Sequence, residues 1–125
     1  MIYLDTHVVV WLFSGQTNLL TPAATNAIES EDLLISPMVS LELQYLFEIG
    51  KINQQADKII KELTVAIGLS LCGQLFEKVI TEAKKMKWTR DPFDRIITAQ
   101  ASIRKSRLLT KDTTIAAHYK FAFWN

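Results

Sequence analysis

All three prolines of this chain stand directly after a residue that can cap a helix: Thr21-Pro22, Ser36-Pro37 and Asp91-Pro92. A hydroxyl or carboxylate at the cap accepts a bond from an orphan helix N–H. Proline at the first helical position gives up no hydrogen bond that the helix would use. Each pair therefore marks a helix start. Around these starts lie the short runs Met1–Leu4, Leu33–Ile35 and Arg107–Thr110, whose length and residue types suit strands. Strands that alternate with helices imply a mainly parallel sheet covered on both faces.

The remaining elements follow from periodicity. His7–Phe13 is apolar almost throughout and reads as a short buried helix. The Thr21-Pro22 helix runs to about Ser30. After Pro37, apolar residues recur at Val39, Leu43, Leu46 and Phe47, a helical spacing that Gly50 ends. Asn53 is expected to cap a helix reaching about Leu63. Val65, Ile67, Leu69 and Leu71 alternate and read as a third strand, although Gly68 weakens that assignment. A helix then extends to about Trp88. The Asp91-Pro92 helix ends near Lys105, Asp112–His118 forms a short helix, and Phe121–Phe123 forms a further edge strand. No repeat or linker interrupts residues 1–125, which are expected to form one domain.

Hydrophobic residues make up 49% of the chain and charged residues 22%, the balance of a folded rather than a disordered protein. No apolar run approaches the roughly 20 residues of a membrane span, and no basic segment precedes an apolar stretch at the N-terminus. Cys72 is the only cysteine, so no internal disulfide forms. It reads as a small core or surface residue, and the whole pattern predicts a cytoplasmic protein without membrane contact.

Carboxylates sit at or near the ends of the apolar runs. Asp5 closes the first, Glu42 lies within Val39–Leu43, Asp91 and Asp94 open the helix after Arg90, and Asp112 follows Leu108–Lys111. A carboxylate beside buried apolar residues is costly without compensation. Several such residues far apart in sequence suggest one shared compensator, and hard divalent cations such as Mg²⁺ take oxygen ligands. In open α/β sheets, sites form beyond the C-terminal strand ends, where Asp5 and Asp112 fall. Glu42 shares the helical stripe of Val39 and Leu46. Each acid also has a purely structural reading. Asp91 suits a helix N-cap, with Asp94 in the place of a capping box, and Asp112 suits the cap of the helix after it. Glu42 could bond backbone at an edge. Asp5 is the hardest to explain structurally. His7 has no second histidine at zinc spacing and reads as supporting, and His118 reads as a surface residue.

The net charge of +1 hides an asymmetry: residues 1–83 carry a balance of −6 and residues 84–125 a balance of +7. Lys84, Lys85, Lys87, Arg90, Arg95, Arg104, Lys105, Arg107 and Lys111 could contact nucleic-acid phosphates, or could be solvated helix ends.

Together, Tyr3-Leu4-Asp5-Thr6-His7 with Trp11-Leu12, Ser36-Pro37 followed by Glu42, Asp91-Pro92-Phe93-Asp94-Arg95 with Ala99-Gln100-Ala101, and Leu108-Leu109-Thr110-Lys111-Asp112 resemble a PIN domain. More narrowly, they resemble the VapC-type ribonuclease toxins of toxin–antitoxin pairs. The resemblance covers nearly the whole chain. It implies a three-layer α/β/α sandwich with a central, mainly parallel sheet of about five strands. It implies Mg²⁺- or Mn²⁺-dependent endoribonuclease activity, an RNA substrate, a homodimer and a cognate antitoxin protein over the site. Asp5, Glu42 and Asp112 match the first, second and fourth acidic positions of the family. Asp94 matches the third best, and Asp91 is either a further ligand or only the cap. Thr110 matches a hydroxyl before the fourth acid, and Thr6 stands beside the first. Arg90, Arg95 and Lys111 are the RNA-contact candidates.

Other classes fit less well. A dehalogenase-type phosphatase needs a second Asp two residues after the first, where His7 stands. A phosphoacceptor receiver needs an Asp after the third strand, and Leu71-Cys72-Gly73 offers none. A non-cutting RNA- or protein-binding module, or a DNA nuclease of the same fold, would carry the same motifs. Metal binding and RNA–DNA competition discriminate these.

Overall fold

The computed structural model describes residues 1–125. Five strands, β1 (Ile2–Leu4), β2 (Leu33–Ile35), β3 (Ser70–Leu71), β4 (Arg107–Leu109) and β5 (Ala122–Phe123), form one sheet in the order β3-β2-β1-β4-β5. Every pairing is parallel, with Ile2 opposite Leu33 on one side and Leu4 opposite Leu109 on the other. Seven helices connect and cover it: α1 (Thr6–Ser14), α2 (Pro22–Ser30), α3 (Pro37–Glu48), α4 (Ala56–Ile67), α5 (Phe76–Ala83), α6 (Pro92–Ile103) and α7 (Thr113–His118). This is the α/β/α sandwich. The strands are only two or three residues long. The ladder is therefore brief, and side-chain burial must supply much of the sheet's stability. Ile2, Tyr3, Leu4, Ile35, Leu108 and Leu109 are fully buried, each worth about 1.5–3 kcal/mol for a large aliphatic or aromatic side chain. No helix is long and apolar enough to cross a membrane.

The proline-marked helix starts are all present. Thr21 accepts from Ala24 N–H at 3.1 Å, Ser36 from Met38 N–H at 3.0 Å, and Asp91 from Phe93 N–H at 2.8 Å. Ser36 also donates to Gln100 Oε1, which ties the start of α3 to α6. In α6, Ile97 to Ala101 are all buried, because that helix is enclosed by the sheet, α3 and α5. Of the two readings of Cys72 the structure takes the core one: it is buried and its Sγ lies 2.9 Å from the Tyr3 hydroxyl.

The stretch between Asn53 and Trp88 departs from its sequence reading. Asn53 caps nothing: α4 begins at Ala56 and continues through Val65 and Ile67. The alternation that resembled a strand is the last turn of a helix, in which Val65 is 83% exposed, followed by only two strand residues. Gly68 terminates α4 with a φ of +71°, its N–H bonding back to Leu63 and Thr64 carbonyls, a left-handed cap that suits glycine. Helix α5 stops at Ala83 rather than Trp88. Arg95 of α6 holds it there, donating to the carbonyls of Ala83 at 3.1 Å and Lys84 at 3.4 Å.

Candidate active site at the C-terminal sheet edge

The connections leave β1 toward β2 on one side, while β4 and β5 lie on the other. Strand order thus reverses between β1 and β4, and a crevice opens beyond their C-terminal ends. Asp5 directly follows β1, and its N–H donates to the Leu109 carbonyl at 3.0 Å. Asp112 lies three residues after β4. The crevice is a cleft of about 360 Å³ containing Asp5, Glu42, Asp91, Asp94 and Asp112, together with Thr6 and His7. Val10, Trp11, Leu46 and Ile52 complete its walls.

Four of the five acids are held by side-chain hydrogen bonds. Asp5 is 4% exposed. Its Oδ1 accepts from Thr6 N–H at 2.7 Å and caps α1, while its Oδ2 accepts from the Thr110 hydroxyl at 2.7 Å. That hydroxyl in turn accepts from Asp112 N–H at 3.0 Å, so Thr110 links the first and last acids. Asp112 Oδ1 caps α7 through Thr114 and Ile115 N–H at 2.8 and 2.9 Å. Asp91 Oδ1 caps α6. Glu42 projects from α3, and Thr6 donates its hydroxyl to Glu42 Oε1. Asp94 is half-buried in the first turn of α6 and has no ion-pair partner.

The electrostatics follow from this crowding. The Asp94 carboxyl is pushed up to about 7, first by burial and then by the charges of Asp91, Asp5, Asp112 and Glu42. Glu42 is raised as well, chiefly by burial, against the opposing hydrogen bond from Thr6 and with the help of Asp5 and Asp91. His7 stands on the other side of the balance. Its Nε2 accepts the Lys111 N–H at 2.9 Å and so must carry a lone pair, which places the proton on Nδ1. Nδ1 lies 3.7 Å from Asp5 Oδ2. That spacing would permit an ion pair, but burial lowers the pKa of His7 more than Asp5 and Asp112 raise it. The balance favours the neutral ring, in keeping with the Nε2 lone pair that the Lys111 N–H occupies.

The donor set suits a hard divalent cation: carboxylate oxygens crowded closely enough to raise the Asp94 carboxyl to about 7. No three side chains surround one point ready-made. Magnesium does not demand that, since it usually keeps several waters and takes one or two carboxylates directly. One oxygen each of Asp112 and Asp91 remains outside the capping bonds, as do both of Asp94 and Oε2 of Glu42. These could hold the ion beside Asp5.

The basic candidates separate in space. Lys111 stands on the rim next to Asp112. Arg90 is exposed just before α6, its guanidinium donating to the Lys87 and Thr89 carbonyls. Arg95 is engaged with the end of α5, as described above, and so is spent on the fold rather than presented to a ligand. Arg107 pairs with Glu31 at 2.7 Å and starts β4, while Arg104 reaches the Met1 sulfur. Both lie at the N-terminal edge of the sheet, away from the cleft, so the basic run is not one continuous footprint. His118 is exposed, but its ring stacks on Trp88 with centroids 5.2 Å apart. The walls Val10, Leu46 and Ile52 were not foreseen. The helical spacing from Thr6 to Val10 and from Glu42 to Leu46 was the available signal.

Asp91 separates capping from ligation. Asp91→Asn keeps an N-cap of equal quality. Its melting temperature should stay within about 2 °C. Cleavage unchanged within about threefold would assign Asp91 to capping alone; a loss of tenfold or more with the fold intact would make it a ligand.

The PIN domain family model matches residues 2–121. Ribonuclease VapC22 of Mycobacterium tuberculosis is 33% identical over 129 aligned positions, covering 94% of this chain and 91% of that protein. The crystal structure of VapBC2 from Rickettsia felis bound to a promoter DNA fragment superposes with a TM-score of 0.65 at 18% identity, covering 94% of this chain and 92% of that one. A toxin–antitoxin complex from Klebsiella pneumoniae gives 0.68 at 17%, covering 98% and 96%. These two share the fold. With the family motifs in order and the acids gathered in one cleft, the chain belongs to the PIN domain family.

Proposed function

We propose that this chain is an Mg²⁺- or Mn²⁺-dependent endoribonuclease and the toxin of a toxin–antitoxin pair. The observation that carries this reading is the gathering of five carboxylates from separate parts of the chain in one cleft at the switch point of the sheet. The similarity to a protein named as a ribonuclease, and to solved complexes named as toxin with antitoxin, supports it. Asp5, Glu42, Asp94 and Asp112 would hold the cation, with Asp91 at the margin. When bound, the cation supplies activation of water and neutralisation of charge on the phosphate.

The chain's own residues prepare the site. Thr110 orients Asp5 and fixes the backbone at Asp112. Thr6 aims Glu42 into the cleft. Neutral His7 pins the loop at Lys111, so that the Lys111 ammonium stands at the rim where an RNA phosphate would enter. Arg90 offers a second cationic contact beside Asp91. An antitoxin would act by covering this cleft. Exposed Leu41 of α3 and Phe76 of α5 line one apolar depression with Met38 and Ile96, a face that fits a homodimer contact.

The direct test is cleavage of total cellular RNA by the purified protein with Mg²⁺ or Mn²⁺, beside lanes with EDTA. Discrete fragments that vanish with the chelator are expected. Cleavage that persists in EDTA would refute the metal-dependent mechanism, and intact RNA in every lane of antitoxin-free protein would refute the nuclease reading.

A further inference from the structure

Three aromatic rings, two from α1 and one from the C-terminal end of the chain, meet at one wall of the cleft. His7 and Trp11, one helical turn apart on α1, have centroids 5.0 Å apart, and Trp124 lies 5.8 Å from Trp11 and 6.2 Å from His7. The cluster is tied to the fold at two points. His7 is tied to the Lys111 N–H, and the Trp124 carbonyl accepts from the Thr21 hydroxyl. Trp11 itself is only half-buried and lines the cleft that holds the carboxylates. It also lines the shallow depression formed with His7, Lys111 and Asp112. The Lys111 ammonium stands 5.8 Å from the Trp11 centroid, near the outer limit of a cation–π contact and loose enough to yield the ring face.

A partly exposed indole packed against His7 and Trp124, with an exposed cation beside it, at the edge of a site read as one for phosphodiesters, has the elements of a nucleobase platform. We propose that Trp11 stacks a base of single-stranded RNA next to the phosphate bound over the carboxylates, with Lys111 taking the neighbouring phosphate. The proposal rests on the reading of the cleft as an RNA site. It goes beyond that reading in naming a subsite that demands an unstacked nucleotide. Because every base has a π-face, the platform selects single-stranded over paired RNA without selecting sequence. The buttressing matters because a ring already fixed in place loses little freedom when it binds.

The test separates base from phosphate. Binding of a mixed-sequence single-stranded RNA oligonucleotide is compared with binding of inorganic polyphosphate, a polyanion without bases. Wild type, Trp11→Leu, Trp11→Phe and Lys111→Ala are titrated at low salt in EDTA, so that cutting does not enter. Trp11→Leu should weaken the oligonucleotide by roughly five- to a hundredfold, leave polyphosphate affinity within about twofold, and be partly rescued in Trp11→Phe. Lys111→Ala should weaken both ligands. Equal losses for both ligands in the Trp11 variants would overturn the platform, as would RNA binding that ignores Trp11→Leu. Trp11→Phe keeps the test open where Trp11→Leu fails to fold. Wild-type protein that binds RNA through Trp11 but does not cut it with Mg²⁺ would remove the nuclease reading and leave the platform standing.

Discussion

Asp5→Asn should give a folded protein that has lost cleavage by roughly a hundred- to a thousandfold. The two halves of this expectation have separate causes. Asparagine is as good an N-cap as aspartate, so its Oδ1 can still accept the Thr6 N–H at the start of α1. Its amide can donate to the Thr110 oxygen, reversing the bond now made to Oδ2. What it cannot supply is the negative charge at the centre of the acidic cleft. Asp5→Ala should differ in kind. It removes the cap and leaves the Thr110 hydroxyl without its acceptor in a buried place, at a combined cost of about 2–4 kcal/mol. Cleavage rates and thermal melts of both variants decide the matter. A cleaving Asp5→Asn would remove Asp5 from the cation site, and an unfolded one would make its role structural.

The second expectation is a stability that falls as the solution becomes less acidic, and that Mg²⁺ restores. Folding moves the Asp94 carboxyl from its ordinary 3.8 to about 7, so the folded state favours the protonated form. Its contribution is complete below the ordinary value and is lost as pH rises through about 7. Unscreened, such a move corresponds to about 4 kcal/mol. Asp94 is only half-buried, and solvent screening reduces the effect to roughly 1–2 kcal/mol. In EDTA, melting temperature should drop by roughly 5 °C between pH 5 and pH 8 through this group, and Asp94→Asn should abolish most of that drop. Glu42, raised in the same direction, adds to the trend. Since a cation competes with protons for the same oxygens, the stabilisation by Mg²⁺ should be larger at pH 8 than at pH 5. A melting temperature that is flat with pH, or an Mg²⁺ effect independent of it, would contradict the coupling among these carboxylates.

How much of this was legible in the sequence depended on whether the signal was local. A cap followed by proline is a local statement, and Thr21, Ser36 and Asp91 each start a helix where the chain says so. The acids at strand ends were legible for the same reason, because strand ends in a parallel sheet share one edge. The third strand was misread because Val65 and Ile67 are apolar yet lie on the outer side of α4. Alternation over a few residues cannot distinguish that from a strand. The buried stripe of Ala56, Ile59 and Leu63, continued to Gly68 as a left-handed stop, was the better guide. The basic run was legible only as composition: neighbours in sequence diverge in space, with Arg104 and Arg107 at the far edge of the sheet from Lys111. The meeting of Trp11 with Trp124 has no local trace at all, since it exists only because β5 returns the C-terminus beside β4.

Three of the five acids in the cleft, Asp5, Asp91 and Asp112, also serve as N-caps of α1, α6 and α7. Asparagine caps as well as aspartate, and their codons differ by one base. On the proposed reading, in which cutting harms the host cell, the easiest mutational escape is therefore a change that silences the chemistry and spares the scaffold. The escaped protein would still fold, and would still present the same walls to whatever partner recognises them.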